Sequence, residues 1–461
     1  MSVLKAYTLP HPPLAIPDVG FGKEKEISET LTAMEQVAVE IKQLAPETII
    51  FITPHSTVYA DYFHISPGKA AIGDFGRFGV SAVGLETVYD EQLVSEIVRV
   101  AEENKINAGT DGEEDRKLDH GVMVPMWYIN KHYTNYRSVR ISQSGGSPLE
   151  HYSLGQAIAK AIDLTGRKVV IVASSDLSHR LKDDGPYGFV PEGAQFDSMF
   201  VEALSEGDFL SLFKIPHSLR DAAGECGFNS LMMLAGVLDK QDVKAQLMSY
   251  ECPFGVGYAV AEFESIGKSE KRDILEQYIR FTLGDLADKR EMEDDYVKLA
   301  RMSLEYEIKT GEPLLVPDGL PSDMMNNAAG VFVSIHKEGM LRGCIGTIVP
   351  TTDNIASEII QNAVSAGICD NRFIPVSVDE LKYLVYKVDV LSTPEKISSP
   401  DELDVKRYGV IVKSGTKRGL LLPNLDGIDT VKRQIEIAKN KAGIARSEKV
   451  ELERFEVIRH E

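Results

Sequence analysis

Four histidines stand where a chain can present a side chain to a ligand. His55 follows the apolar run Ile49-Ile50-Phe51-Ile52 and the breaker Thr53-Pro54, so it is the first coordinating residue past a buried strand. His179 stands in the same relation to Val169-Val170-Ile171-Val172-Ala173, after the polar break Ser174-Ser175-Asp176-Leu177-Ser178. His11 lies in the proline-stiffened Leu9-Pro10-His11-Pro12-Pro13, and His120 in a turn ahead of an apolar stretch. In an α/β sheet the space beyond the carboxyl ends of the strands is where ligands bind.

Imidazole is the commonest transition-metal ligand, and proline flanks reduce the entropy lost in holding it. His11 and His55 are therefore read as a metal pair, the plainer alternative being two satisfied loop histidines. Glu225 is the expected third ligand. It sits in Ala223-Gly224-Glu225-Cys226-Gly227-Phe228 at the mouth of an apolar helix, where the dipole favours a carboxylate; a simple helix-start acid is the alternative. Two histidines and one carboxylate hold Fe(II) with positions open for substrate and oxygen, and zinc or another divalent metal accepts the same donors. His179 and His120 are left for proton transfer near neutral pH, with Asp176 and Asp119 placed to orient them. His64 falls in the strand-like Tyr62-Phe63-His64-Ile65, while His132, His151 and His217 read as surface residues.

These positions require alternating strands and helices. Apolar residues at helical spacing run from Glu24 to Ala45 (Ile27, Leu31, Met34, Val37, Ile41, Leu44), and further helices are expected over 90–104, 153–163, 196–213 and 231–238. Strands are expected at 49–52, 139–142, 168–173 and 258–263. The glycines of Gly73-Asp74-Phe75-Gly76-Arg77-Phe78-Gly79 have no buried strand feeding them, so a flexible loop near the pocket is expected rather than a phosphate cradle. Residues 1–264 thus read as one large α/β domain. Charge dominates 265–292 while helical spacing persists, which marks a helical connector. From 293 to 461 the period changes to two, with a hairpin of 330–335 and 340–346 about Lys337-Glu338-Gly339, and a smaller α+β domain is expected.

The chain of 461 residues is 43% hydrophobic and 26% charged, the balance of a globular protein of two or three domains. Its net charge of −20 argues against nucleic acid or an anionic membrane surface as the main partner. The four cysteines are widely spaced, no apolar run approaches membrane-spanning length, and prolines break the N-terminal stretch. A cytoplasmic protein is expected, with its oligomeric state open.

The set His11-Pro12-Pro13, Thr53-Pro54-His55, Ser174 to His179 and Gly224-Glu225-Cys226-Gly227 resembles the catalytic subunit of class III extradiol ring-cleavage dioxygenases. These are the LigB type, with Memo-like relatives, and the resemblance covers 1–264. It implies Fe(II) held by His11, His55 and Glu225, a catalytic His179, and a catechol-like substrate that chelates the iron beside O2. Memo-like relatives carry a cysteine in the region of the third ligand, which makes Cys226 the alternative to Glu225.

Leu341-Arg342-Gly343-Cys344-Ile345-Gly346, with Asp370-Asn371-Arg372-Phe373-Ile374-Pro375-Val376, resembles the AMMECR family. That resemblance implies a pathway shared with a radical SAM protein. Arg342 and Cys344 alternate on a strand, so a second site in one cleft is expected, the alternative being a buried structural cysteine. Three functions remain open on the sequence: an Fe(II)-dependent ring-cleaving dioxygenase, a metal-dependent redox enzyme of another reaction type, and a non-catalytic scaffold.

Overall fold

Thr48–Thr53 and Val169–Ser174 are buried at every position, as strands covered on both faces must be. In the computed structural model, which describes residues 2–113, 116–425 and 427–461, they are neighbours in a six-stranded sheet. Its strands in chain order are β1 (Val3–Leu9), β2 (Thr48–Thr53), β3 (Arg137–Ser142), β4 (Val169–Ser174), β5 (Gln241–Glu251) and β6 (Tyr258–Lys268). In space they run β3-β2-β4-β1-β6-β5. The first four are parallel; β6 pairs antiparallel with β1, and β5 closes the edge antiparallel to β6.

Side chains alternate across a strand, so each buried run feeds two cores. Ile49, Phe51, Val170 and Val172 pack with the helices Ser28–Leu44 and His120–Asn130. Ile50, Ile52, Ile171 and Ala173 pack with Glu91–Glu103, Pro148–Thr165 and Phe228–Val237 on the other face. Each of the valine, isoleucine and phenylalanine side chains contributes roughly 1.5–3 kcal/mol by leaving water. Leu9 lies opposite Ser174 and Thr53 opposite Ser142, so the four parallel strands end level. The chain leaving that edge carries His11, His55, Gln143 and Asp176.

The structure differs from the sequence reading in several places. The helix expected from Glu24 begins as a 3-10 turn, Lys23–Ile27, before Ser28–Leu44. The glycine-punctuated 73–79 is no irregular loop: it belongs to a hairpin of Ala70–Phe75 and Val80–Val88, tipped by the 3-10 turn Gly76–Phe78. The edge strand β5 had no sequence expectation, because its polar and half-buried positions alternate without an apolar run. His151, read as a surface residue, is fully buried, with Ser144 N–H donating to Nε2 and Nδ1 bonded to the Ser147 carbonyl. The charged stretch opens as the end of β6 and continues as the helix Ile274–Met292.

The chain divides into two compact units, 1–280 and 281–461. Among the described residues the second has eight strands: β7 (Gly330–Lys337), β8 (Met340–Gly346), β9 (Leu384–Leu391), β10 (Glu395–Ile397), β11 (Gly409–Ser414), β12 (Lys417–Leu421), β13 (Glu451–Phe455) and β14 (Val457–His460). They form the antiparallel sheets β8-β7-β9-β14 and β10-β13-β11-β12. Glu338 and Gly339, at φ 52° and 78°, make the two-residue turn between β7 and β8, a conformation suited to strand twist. Helices Asp295–Thr310 and Ile355–Ile368 cover Val331, Val333 and Ile335, and Val431–Lys441 packs on the smaller sheet. Among the described residues no helix is long and apolar enough to cross a membrane.

Candidate metal centre

Three loops at the carboxyl edge of the sheet bring three donor atoms together. His11 Nε2 lies 2.9 Å from His55 Nε2 and 3.6 Å from Cys226 Sγ. Among the described residues, His11, His55 and Cys226 are the group whose donors all fall within 4.8 Å of one another. Metal–nitrogen bonds of about 2.0–2.1 Å and metal–sulfur bonds of about 2.3 Å separate two donors on one ion by roughly these distances. Two bare imidazole nitrogens this close repel unless a proton or a cation lies between them.

Two close approaches make the cluster. A Cβ on Gly121 would stand 2.4 Å from Thr53 Oγ1, so only glycine lets the helix His120–Asn130 begin against the ends of β2 and β4. A Cβ on Gly227 would stand 1.9 Å from Ser175 Oγ, and its absence lets the loop of Cys226 settle on the end of β4. Gln143 then fixes that loop, its Nε2 donating to the Cys226 carbonyl at 2.8 Å. Asp176 Oδ1 accepts the His11 backbone N–H at 2.8 Å.

Glu225, the expected third ligand, is not in the cluster. Its Oε2 accepts the Phe228 N–H at 2.7 Å and so serves the start of the helix Phe228–Val237. The alternative named with it, Cys226, takes the place. Burial pushes the Cys226 thiol well up, with Asp176 and Glu225 adding to the shift, so a cation is needed to ionise it. Burial pushes Glu225 up as well, to about 7.

The remaining histidines surround the three donors. The His120 ring stacks on His55 at 4.2 Å and stands 5.4 Å from His11. His179 acts electrostatically on both His11 and His55, and its own ring stacks on Tyr187 at 5.2 Å. Burial, followed by the neighbouring histidines, holds His11 well below the usual imidazole range. His55, open to solvent on one side, shifts the same way from burial and His120. His120 is pushed down to about 4 by burial and Arg77, and His179 is lowered by burial and Arg180. All four shifts favour the neutral ring, the form that has a lone pair to offer.

Neither aspartate orients the histidine expected of it. Asp119 Oδ1 accepts from Thr53 Oγ1 at 2.6 Å and from Val122 N at 3.3 Å, which caps the helix that His120 opens. Asp176 holds the backbone of His11 rather than His179. A cleft of about 590 Å³ opens beside His55 and His120, lined also by Arg77 and Phe78 from the hairpin tip and by Lys117. The Phe78 ring meets His120 edge-on at 5.3 Å. Gln143 escaped the sequence reading, and Ser174 entered it only as part of a polar break and a family motif, because a polar residue closing or following a buried strand is a faint signal. The segment Gly73 to Gly79, expected near the pocket, does line the cleft, as a hairpin tip and not a flexible loop.

In the second unit Arg342 and Cys344 have separate partners. Arg342 grips Glu380 with two bonds of 3.0 Å, and Lys337 joins at 3.2 Å. Cys344 Sγ accepts from Ser334 Oγ at 3.3 Å across the β7–β8 pair, while Asp370 Oδ2 accepts its N–H and is itself clamped by Arg372.

Residues 5–261 match the family described as the catalytic LigB subunit of aromatic ring-opening dioxygenase, and residues 297–460 match AMMECR1. The chain belongs to the LigB family and carries an AMMECR1 domain after it. It is similar to Protein CA_C1420 of Clostridium acetobutylicum, 42% identical over 468 residues that cover 100% of this chain and 99% of that one. A protein of Thermotoga maritima is 48% identical over 170 residues, 36% of this chain and 98% of that protein. Among solved structures, uncharacterized protein JW3007 of Escherichia coli K12 aligns at a TM-score of 0.38 and 14% identity, covering 56% of this chain and 99% of that chain.

Proposed function

We propose that the first unit is a metal-dependent oxidoreductase in which His11, His55 and Cys226 hold one divalent ion, iron(II) first among the candidates. The observation that carries this reading is the convergence of two neutral imidazoles and a thiol from three separate loops. When bound, the ion supplies Lewis-acid and one-electron redox chemistry for a diol-bearing aromatic substrate and O2.

The chain supplies the rest. The cleft of about 590 Å³ has room for one small aromatic molecule, and Phe78 at its wall offers an edge against which a ring can pack. His120 and His179, both neutral at pH 7, take up the protons that the substrate hydroxyls release. Membership of the LigB family supports ring cleavage as the reaction. The sulfur donor supports a second reading, a different redox reaction in the same cleft, because a soft thiolate changes which metals and oxidation states the site favours.

The test is metal analysis of anaerobically purified protein, followed by a panel of catechols with O2 and absorbance detection of the ring-opened product. Stoichiometric iron with ring opening establishes the first reading. Stoichiometric metal without ring opening of any catechol supports the second. Absence of stoichiometric metal overturns both and leaves a binding scaffold.

A further inference from the structure

Pro125 lies inside the helix His120–Asn130. Lacking an N–H, it cannot donate to the carbonyl of Gly121 four residues earlier, as any other residue there would. Ser174 Oγ takes that carbonyl instead, at 2.5 Å. A carbonyl only accepts, so the Ser174 hydroxyl hydrogen is committed to Gly121. The same Ser174 oxygen lies 2.8 Å from His11 Nδ1 and has only lone pairs left to offer. Nδ1 therefore carries the imidazole hydrogen, and Nε2 is the bare nitrogen. Nε2 is the atom that faces His55 and Cys226.

We infer that Ser174 is a positioning residue that fixes His11 in its Nδ1–H form and so aims a lone pair into the metal centre. The inference rests on the reading of His11, His55 and Cys226 as ligands. Ser174 is fully buried and His11 is 1% exposed, so water does not compete for either bond. The bond from the His11 backbone to Asp176 holds the base of the side chain while Ser174 holds the ring. Without the Ser174 oxygen the neutral ring is free to carry its hydrogen on Nε2, and that form has to be undone before a cation binds. A ligand histidine whose far nitrogen is bonded by a neighbour is the usual arrangement at metal sites. Here the neighbour is itself set by a proline in a different element.

The test measures zinc affinity by competition with a chromophoric chelator on the full-length protein. Ser174→Ala is expected to weaken zinc binding about 10- to 100-fold, the usual effect of removing such a support. Ser142→Ala is the control: Ser142 is an equally buried serine at the end of β3, its hydroxyl has no hydrogen-bond partner among the described residues, and wild-type affinity is expected. Wild-type affinity in Ser174→Ala overturns the inference. His11→Ala and Cys226→Ala separate the two claims. If both keep wild-type zinc affinity, the metal-centre reading falls; if both lose zinc while Ser174→Ala does not, only the role of Ser174 falls. Nitrogen-15 spectra of histidine-labelled, zinc-free wild-type protein decide the matter even if Ser174→Ala does not fold. They are expected to show His11 with its hydrogen on Nδ1, and a hydrogen on Nε2 overturns the inference.

Discussion

Glu225 and Cys226 are neighbours in the chain and reach different partners. Cys226 Sγ reaches to 3.6 Å from His11 Nε2, while Glu225 Oε2 accepts the Phe228 N–H at 2.7 Å. One side chain completes a cluster of donors and the other starts a helix. The family resemblance alone leaves both residues eligible as third ligand, and the division of labour follows from how the loop lies against β4.

Substitution separates the two roles. Cys226→Ala is expected to lose tight zinc or iron binding, read by metal analysis after dialysis. Glu225→Ala is expected to keep the metal and to lose about 1 kcal/mol of stability in denaturant unfolding, the scale of a lost helix-start bond. Retention of metal by Cys226→Ala with loss in Glu225→Ala reverses the assignment.

Gly227→Ala is expected to damage the same centre through packing alone. The added Cβ meets Ser175 Oγ at 1.9 Å and the Ser175 Cβ at 2.6 Å, so the Cys226 loop has to lift from the end of β4. Overpacking of this kind costs about 1–3 kcal/mol. Unfolding midpoints and bound metal should fall together, although alanine has no chemistry of its own to offer the ion.

Asp197 gives the fold a pH dependence of known sign. It is 2% exposed, accepts from Ser178 N at 2.8 Å and Tyr250 Oη at 2.6 Å, and burial pushes its carboxyl up to about 7. An unfolded aspartate loses its proton near pH ~3.9. Between these values the folded state holds a proton that the unfolded state has released, so this contribution is complete below the lower value and is lost as pH rises towards 7. The slope is at most about 1.4 kcal/mol per pH unit. Asp197→Asn, which mimics the protonated side chain, is expected to make urea unfolding measured between pH 4 and 7 less steeply pH-dependent, the buried Glu225 carboxyl keeping its own share.

Arg342→Ala tests what the motif arginine does in the second unit. Burial would raise Glu380, but the bonds from Arg342, with Ser377 and Lys337, pull it down to about 2. Loss of a charge-assisted two-point grip of this kind costs about 1–3 kcal/mol. The unfolding midpoint of the second unit is expected to fall, and bound metal in the first unit to stay constant. A lower metal content with unchanged stability speaks against a structural role.

Much of the architecture was legible in the sequence, because burial on both faces leaves an unbroken apolar run and a half-covered hairpin leaves alternation. Those patterns placed β2, β4 and the β7–β8 pair, and put His55 and His179 just past strand ends. The edge strand β5 left no such trace, since a strand that is only half-buried along most of its length needs few apolar residues. His151 was misread for a related reason: a lone polar residue in an amphipathic helix carries no mark of the neighbours that satisfy it.

The sequence by itself indicated the α/β and α+β classes and pointed to two of the three converging donors, since these depend on periodicity and local breaks, while its motifs carried the resemblance to the two families. The tertiary structure alone brought Cys226 rather than Glu225 to the two imidazoles, gave Asp119 the Thr53 hydroxyl and Asp176 the His11 N–H in place of the contacts expected with His120 and His179, and set Ser174 against His11. The contacts of His11 with Ser174 and Cys226 span 163 and 215 residues of chain. Their direction is set by whether a Cβ fits at Gly121 or Gly227, a quantity that exists only once the strand ends lie side by side.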